Sequence, residues 1–278
     1  MQLEGKTAFV TGAGSGLGRE ICVAFAREGA RVFATDVNAA TAAETAAACA
    51  ALTAGAESAV CDVADSASVK RAFARMDETV GTVDVLVNNA GIVHSDPAYL
   101  EHVKQVQTTQ IVEVMTEGRV KTHARTIELL TDEMFDRMLR VHLYGTFHCT
   151  REALPRMRES GRGGRIINMG SIMGTASLGG APDYCAAKGA ILAFTRATAR
   201  EAASYGVLAN AIAPGFIDTP LLVNFDDANK QLIAAQTPLG RLGTPAEIAA
   251  AALFLAGPGA SFMTGQTVSP NGGIYMSQ

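Results

Sequence analysis

The sequence predicts an α/β fold: one doubly wound parallel sheet of about seven strands, with helices on both faces. Three observations predict it. Short β-favouring apolar runs alternate with helical stretches along most of the chain, an order that implies parallel strands joined by right-handed crossovers. The 278 residues are 48% hydrophobic and 18% charged, enough to bury a large core. A glycine-rich turn lies between the first such run and the first helical stretch.

The elements follow in order. Residues 6–10 are a short apolar run bounded by glycine and read as a buried strand. Residues 20–29 carry Ile21, Phe25 and Ala26 at helical spacing and end on Gly29. Residues 31–35 form a second strand, 39–52 an alanine-rich helix and 58–61 a weaker third strand. A helix over 66–80 follows, with Asp65 or Ser66 as its cap, then a fourth strand over 83–87. The later alternation reads as a long amphipathic helix over 132–157, stopped or bent near Pro155. It continues with strand 165–169, helix 183–204, strand 207–212, helix 245–255 and strand 266–269. No internal repeat or low-complexity linker interrupts the pattern, so residues 1–278 read as one domain. Only residues 94–127 break the rhythm: Tyr99, Leu100, Val103 and Val106 suggest a short helix, and Gln110–Met115 with Glu117-Gly118 and Arg119–Thr122 suggest a β-hairpin.

Composition excludes several function classes. Twenty-three Lys and Arg against 27 Asp and Glu give a net charge of −4, which offers no basic field to a nucleic acid. No apolar run approaches the ~18 residues of a membrane span, and the first residues do not read as a signal peptide. The five cysteines (Cys22, Cys49, Cys61, Cys149, Cys185) are scattered and odd in number, which points to a reduced, cytoplasmic protein. His94, His102, His123 and His148 have no metal-ligand spacing, so no metal is expected.

The chemistry starts at Thr11-Gly-Ala-Gly-Ser-Gly-Leu-Gly18. Glycines let the backbone approach a pyrophosphate, and the following helix N-terminus offers unpaired N–H groups and a positive dipole end. Gly12, Ser15, Gly16, Leu17 and Gly18 are therefore candidate cofactor contacts in a Rossmann-like fold. Asp36, after the second strand, can accept hydrogen bonds from the adenosine ribose and would repel a 2′-phosphate. No Lys or Arg stands in 13–17 or 37–40 to receive that phosphate, so NAD is the expected cofactor rather than NADP. Asp62, followed by Val63, is either an adenine contact or a helix cap.

Tyr184 and Lys188 are four apart on a helical stretch and share a face. A lysine ammonium beside a phenol lowers its pKa from near 10; a base working near neutrality needs a drop of roughly 2–3 units. Ser171, after strand 165–169, can donate a hydrogen bond to a substrate oxygen.

With these motifs the sequence resembles the short-chain dehydrogenase/reductase family, in its shorter single-domain branch. The carrying motifs are TGAGSGLG (11–18), NNAG (88–91), Ser171, YCAAK (184–188) and PGFIDT (214–219). The resemblance implies that Tyr184 is the catalytic acid/base, that Lys188 lowers its pKa and binds the nicotinamide ribose, and that Ser171 orients the substrate oxygen. It implies that Asn89, Ala90 and Gly91 pack beside the adenosine ribose, and that Ile217 and Thr219, after Pro214 and Gly215, hold the nicotinamide carboxamide. A homotetramer is implied by analogy.

Two departures stand out. His142 occupies the family's usual Asn position in Val141-His-Leu-Tyr-Gly-Thr-Phe147. An imidazole titrating near 6.5 can exchange a proton, so His142 is a candidate member of the proton relay. The long gap between Gly91 and His142 is the other departure, and an insertion leaving the carboxyl end of the fourth strand could cover the substrate pocket as a lid. Met173, Leu178, Leu221, Leu222, Val223 and Phe225 predict an apolar pocket, hence an apolar secondary alcohol or ketone, cyclic or aromatic. A 3-hydroxyacyl thioester is the alternative substrate, and a catalytically silent NAD-binding sensor the alternative function.

Overall fold

The computed structural model describes residues 1–177, 179–222 and 225–276. Its centre is a seven-stranded parallel sheet in the order β3-β2-β1-β4-β5-β6-β7. The strands are β1 (Thr7–Thr11), β2 (Arg31–Asp36), β3 (Ala56–Val60), β4 (Val85–Asn88), β5 (Gly164–Met169), β6 (Val207–Ile212) and β7 (Thr267–Val268). The expected sheet is therefore present. Between them run α1 (Gly16–Arg27), α2 (Ala39–Ala50), α3 (Ser66–Thr79), α4 (Pro97–Glu117), α5 (Thr126–Leu129), α6 (Asp132–Leu139), α7 (Gly145–Ser160), α8 (Pro182–Ala202), α9 (Asp227–Gln236) and α10 (Pro245–Ala256).

Neighbouring residues of a strand point to opposite faces, and the core divides accordingly. Val10 joins Ile21, Phe25, Ile248 and Leu255 on the face covered by α1 and α10. Phe9, one residue earlier, stacks on Phe33 at 5.5 Å and on Phe73 at 4.2 Å on the other face, with Met157 and Ile166 in the same cluster. The strand order reverses between β1 and β4, which opens a crevice at their carboxyl ends, the usual ligand position in such sheets.

Helix starts follow local side-chain chemistry. Asn38 caps α2 by accepting from the N–H groups of Ala40 and Thr41, and Asp65, not Ser66, caps α3. Thr244 and Glu247 form a capping box on α10.

Three segments differ from the sequence expectation. The hairpin within 110–122 is absent: α4 runs unbroken from Pro97 to Glu117, started by Asp96 accepting from Tyr99 N–H and ended by Gly118 at φ +71°. Glu113 then takes the returning chain, accepting from Lys121 N–H, Thr122 N–H and the Thr122 hydroxyl. These bonds draw residues 121–122 to the helix side chain and leave no strand ladder to form. The predicted helix over 132–157 is α6 and α7 joined by a π-helical turn at Arg140–Tyr144, which contains His142; Pro155 sits inside α7 without ending it. Helix α9, capped by Asp226, was not expected.

Candidate active site

The glycine turn is built by steric necessity. Gly12 and Gly16 have φ of +60° and +51°, a region costly for other residues. A Cβ on Gly18 would lie 2.1 Å from the Gly12 carbonyl oxygen and 2.6 Å from the Asn89 amide nitrogen. That amide donates to the carbonyls of Thr11 and Gly12, while the Thr11 hydroxyl accepts from the N–H groups of Asn89 and Ala90. Gly18→Ala is expected to destabilise the protein by about 3 kcal/mol, the overpacking range, and to weaken NADH binding at least ~10-fold. Thermal denaturation and NADH titration measure both. Ser15 forms no side-chain cap on α1, so the first N–H groups of the helix are not taken by its hydroxyl.

Beside the turn lies a cleft of about 580 Å³. Gly12, Asp36, Val37, Asp62, Val63, Ala90, Gly91, Arg137, Arg140 and Val141 are among the residues that line it. Asp36 accepts from Gly14 N–H at 3.0 Å and Asn38 N–H at 3.0 Å, which fixes its carboxylate at the mouth. Asp62 accepts from Ala64 N–H and is not the helix cap. Thr219 sits against Gly16, whereas the Ile217 side chain is buried in the core, on a segment that pairs with Gly243. Pro214 receives Ile172 N–H, and Gly215 packs on Asn271.

On the adjacent side the structure brings Ser171, Tyr184 and Lys188 together. Ser171 follows β5; its oxygen accepts from Met173 N–H at 3.1 Å, and its hydroxyl lies close enough to the Tyr184 phenol to oppose part of the rise in its pKa. Lys188, one turn along α8, donates to the Met169 carbonyl at 2.7 Å, with Nζ 5.6 Å from the Tyr184 ring centre. Burial pushes the phenol up to about 12, against the Ser171 hydrogen bond, and holds Lys188 down to about 7. The expected lowering of the tyrosine by Lys188 is thus not a property of the protein groups alone. The lysine is too buried to keep a firm charge near neutrality, so desolvation dominates.

His142 is buried edge-on to Tyr184, with ring centres 5.3 Å apart. Its Nε2 lies 2.9 Å from the Ile92 carbonyl oxygen and 3.1 Å from Ile92 N, and a Cβ on Gly91 would press on Cε1. Burial and the Lys188 charge push its pKa down to about 3. The expectation of an imidazole titrating near 6.5 is corrected: this ring is neutral at ordinary pH, and any relay through it passes a proton without holding one.

Two features were missed in the sequence. Asn88 and Asn168 face each other on β4 and β5; Asn88 Nδ2 donates to Asn168 Oδ1 and to the Thr150 hydroxyl, and Asn168 Nδ2 to the Thr195 hydroxyl. The signal was there: an amide at the end of each apolar strand. Asp183, fully buried before Tyr184, accepts from Tyr184 N–H at 2.8 Å and pairs with His94 Nε2 at 2.9 Å.

The expected apolar pocket is less closed than predicted. Met173 is half-buried beside Ser171, Leu222 is half-buried, and Leu221 and Phe225 are exposed, Phe225 standing edge-on to Phe216. Exposure follows from their place on the segment after β6, whose outer side faces solvent. Leu178 and Val223 lie outside the described residues.

The chain matches a family model described as short chain dehydrogenase over residues 6–129 and one described as Enoyl-(Acyl carrier protein) reductase over residues 117–275. It is 36% identical to the 3-oxoacyl-(acyl-carrier-protein) reductase FabG of Vibrio cholerae, across 99% of this chain and 100% of that protein. It is 38% identical to the uncharacterized oxidoreductase YxbG of Bacillus subtilis, across 98% and 92%. Among solved structures, a gluconate 5-dehydrogenase from Burkholderia cenocepacia, in complex with NADP and tartrate, matches with a TM-score of 0.82 at 29% identity, covering 98% of this chain and 96% of that one.

Proposed function

The chain belongs to the short-chain dehydrogenase/reductase family, whose members are nicotinamide-dependent oxidoreductases, and from that premise we propose that it interconverts a ketone and a secondary alcohol with NAD(H), using Tyr184 as the proton donor and acceptor. One observation carries the reading: Lys188, one helical turn from Tyr184, brings its Nζ to 5.6 Å from the Tyr184 ring centre, with the Ser171 side chain close enough to the phenol to oppose part of the rise in its pKa. The bound nicotinamide supplies or receives the hydride. In reduction, hydride joins the carbonyl carbon and the Tyr184 proton joins the oxygen. A phenol pushed up to about 12 is fully protonated and ready to give. Ser171 orients the carbonyl oxygen, and Lys188, fixed on the Met169 carbonyl, faces the phenol and would hold the ribose of a bound nicotinamide cofactor.

The substrate ranking from sequence is reversed. The activity named for the 3-oxoacyl-(acyl-carrier-protein) reductase relatives favours a 3-oxoacyl thioester. Met173 and the Phe216–Phe225 pair favour an apolar ketone as the second reading.

For the coenzyme, the Asp36 carboxylate at the mouth of the cleft supports NAD. Arg137 and Arg140 in the same cleft, and the NADP of the Burkholderia neighbour, support the rival. Titration decides. The chain has no Trp, so NADH emission is read against little protein background. NADH is expected to bind at least ~10-fold tighter than NADPH, the worth of about 1.4 kcal/mol of charge repulsion. Tighter NADPH binding overturns the Asp36 assignment. Turnover of acetoacetyl thioesters and apolar ketones on the same sample then ranks the substrates; turnover of neither overturns the enzyme reading.

A further inference from the structure

The insertion between β4 and α6 does not hang free. Tyr99 on α4 donates its hydroxyl to the Gly180 carbonyl at 3.1 Å, and Gln107 donates to Gly179 at 3.4 Å. Val103 abuts Gly180 so closely that a Cβ there would lie 2.9 Å from its Cγ1. Lys104 pairs with Asp226 at 3.3 Å. Gly179 and Gly180 belong to the loop between Ser171 and Tyr184, and Asp226 caps α9 in the segment after β6. One helix thus ties together the two segments that leave the sheet on either side of the reacting groups. At its base the His94–Asp183 pair fastens the insertion to the first turn of the Tyr184 helix.

We propose that α4 is the roof of the substrate pocket, latched by Lys104–Asp226, and that it limits the length of substrate that fits between Ser171, Tyr184 and the segment after β6. The substrate half of this inference rests on the proposed ketone chemistry; the latch does not. The two ends of α4 differ in strength in the way a roof needs. The His94–Asp183 end is buried, so it is the fixed end. The Lys104–Asp226 pair is more than half exposed on the lysine side, and exposed pairs contribute little. Opening therefore starts at the latch. Substrate enters there, and closure follows when both loops are held.

Lys104→Glu reverses the latch without touching Ser171, Tyr184, Lys188 or the glycine turn, and Lys104→Arg keeps it. Amide hydrogen exchange in peptides 179–187 and 226–236 reads the latch without any substrate. In Lys104→Glu, exchange in both peptides is expected to rise about threefold or more, the effect of losing a surface contact on local opening, with Lys104→Arg like wild type. NADH affinity stays within about twofold, as the roof does not line the adenosine cleft. For a short 3-oxoacyl thioester, KM rises about threefold or more, and longer acyl chains gain relative to short ones. A second variant, with 98–124 replaced by a short Gly-Ser linker, should show the same shift more strongly. Unchanged exchange in both peptides overturns the roof whatever the turnover shows. Raised exchange with an unchanged chain-length profile in both variants overturns its role in substrate choice. Absence of ketone turnover in wild type sinks the proposed function instead, and exchange alone then decides the roof.

Discussion

Tyr184→Phe is expected to lower kcat about 10³-fold or more while NADH affinity changes by less than about twofold. The substitution removes one oxygen and nothing else. The ring remains packed edge-on to His142, and Asp183 still accepts from the backbone N–H of residue 184. Tyr184 does not line the adenosine cleft. Ser171 keeps its bond from Met173 N–H, so the turn holds. The missing term is the proton: without the phenol, the developing alkoxide is met by water or by the Ser171 hydroxyl alone. Removing a positioned acid costs 10²–10⁴ in rate. Single-turnover rates and NADH fluorescence titration on the same variant separate the two effects. A kcat within about tenfold of wild type would remove Tyr184 from the proton step and leave the NAD-binding sensor as the better reading.

The strands were legible because their physics is local. Phe9 and Val10 sit in an unbroken apolar run, and such a run between glycines has few other places to go than a covered sheet. The insertion was not legible for the opposite reason. Ile111, Val112 and Val114 are β-favouring and stand exposed on α4, so neither their propensity nor any burial pattern marks the helix. Its local support is the Asp96 start, the left-handed Gly118 and the Glu113 bonds to residues 121–122. Those contacts join residues eight and nine apart, and single-residue preference does not report them.

The candidate site divides along the same line. The glycine turn was readable because close approach leaves no room for a side chain, and Gly18 shows the limit directly. The protonation states were not. Whether Lys188 or His142 carries charge depends on how deeply each is buried and by what, which the four-residue spacing of Tyr184 and Lys188 cannot tell. Asp183 was passed over as the residue beside Tyr184. Its importance appears only when His94, 89 positions earlier, comes to 2.9 Å from it.

Lys188→Met tests that burial through two readouts with opposite consequences. For activity, the variant keeps length and apolar volume but loses the donor to Met169 and the charge facing the phenol. A fall in kcat of about 10²–10³ is expected, the size of effect seen when one preorganised group is removed from a reacting site. For stability the sign runs the other way as pH rises. The unfolded lysine titrates near 10.5 and the folded one near 7, so between these values the unfolded chain binds the extra proton. The penalty for burying the charge is complete below about 7 and lifts above it. Wild type should therefore gain stability relative to Lys188→Met by about 2 kcal/mol between pH 7 and pH 9. Taking the difference between the two proteins matters, because the buried thiols of Cys22, Cys49, Cys61 and Cys149 are all pushed up and pull stability down above pH 9 in both. His142, pushed down to about 3, contributes no slope in this window. Urea denaturation of both proteins at pH 7, 8 and 9 measures the difference. A flat difference would mean that Lys188 keeps its charge in the folded protein, where that charge would lower the proton affinity of the phenol.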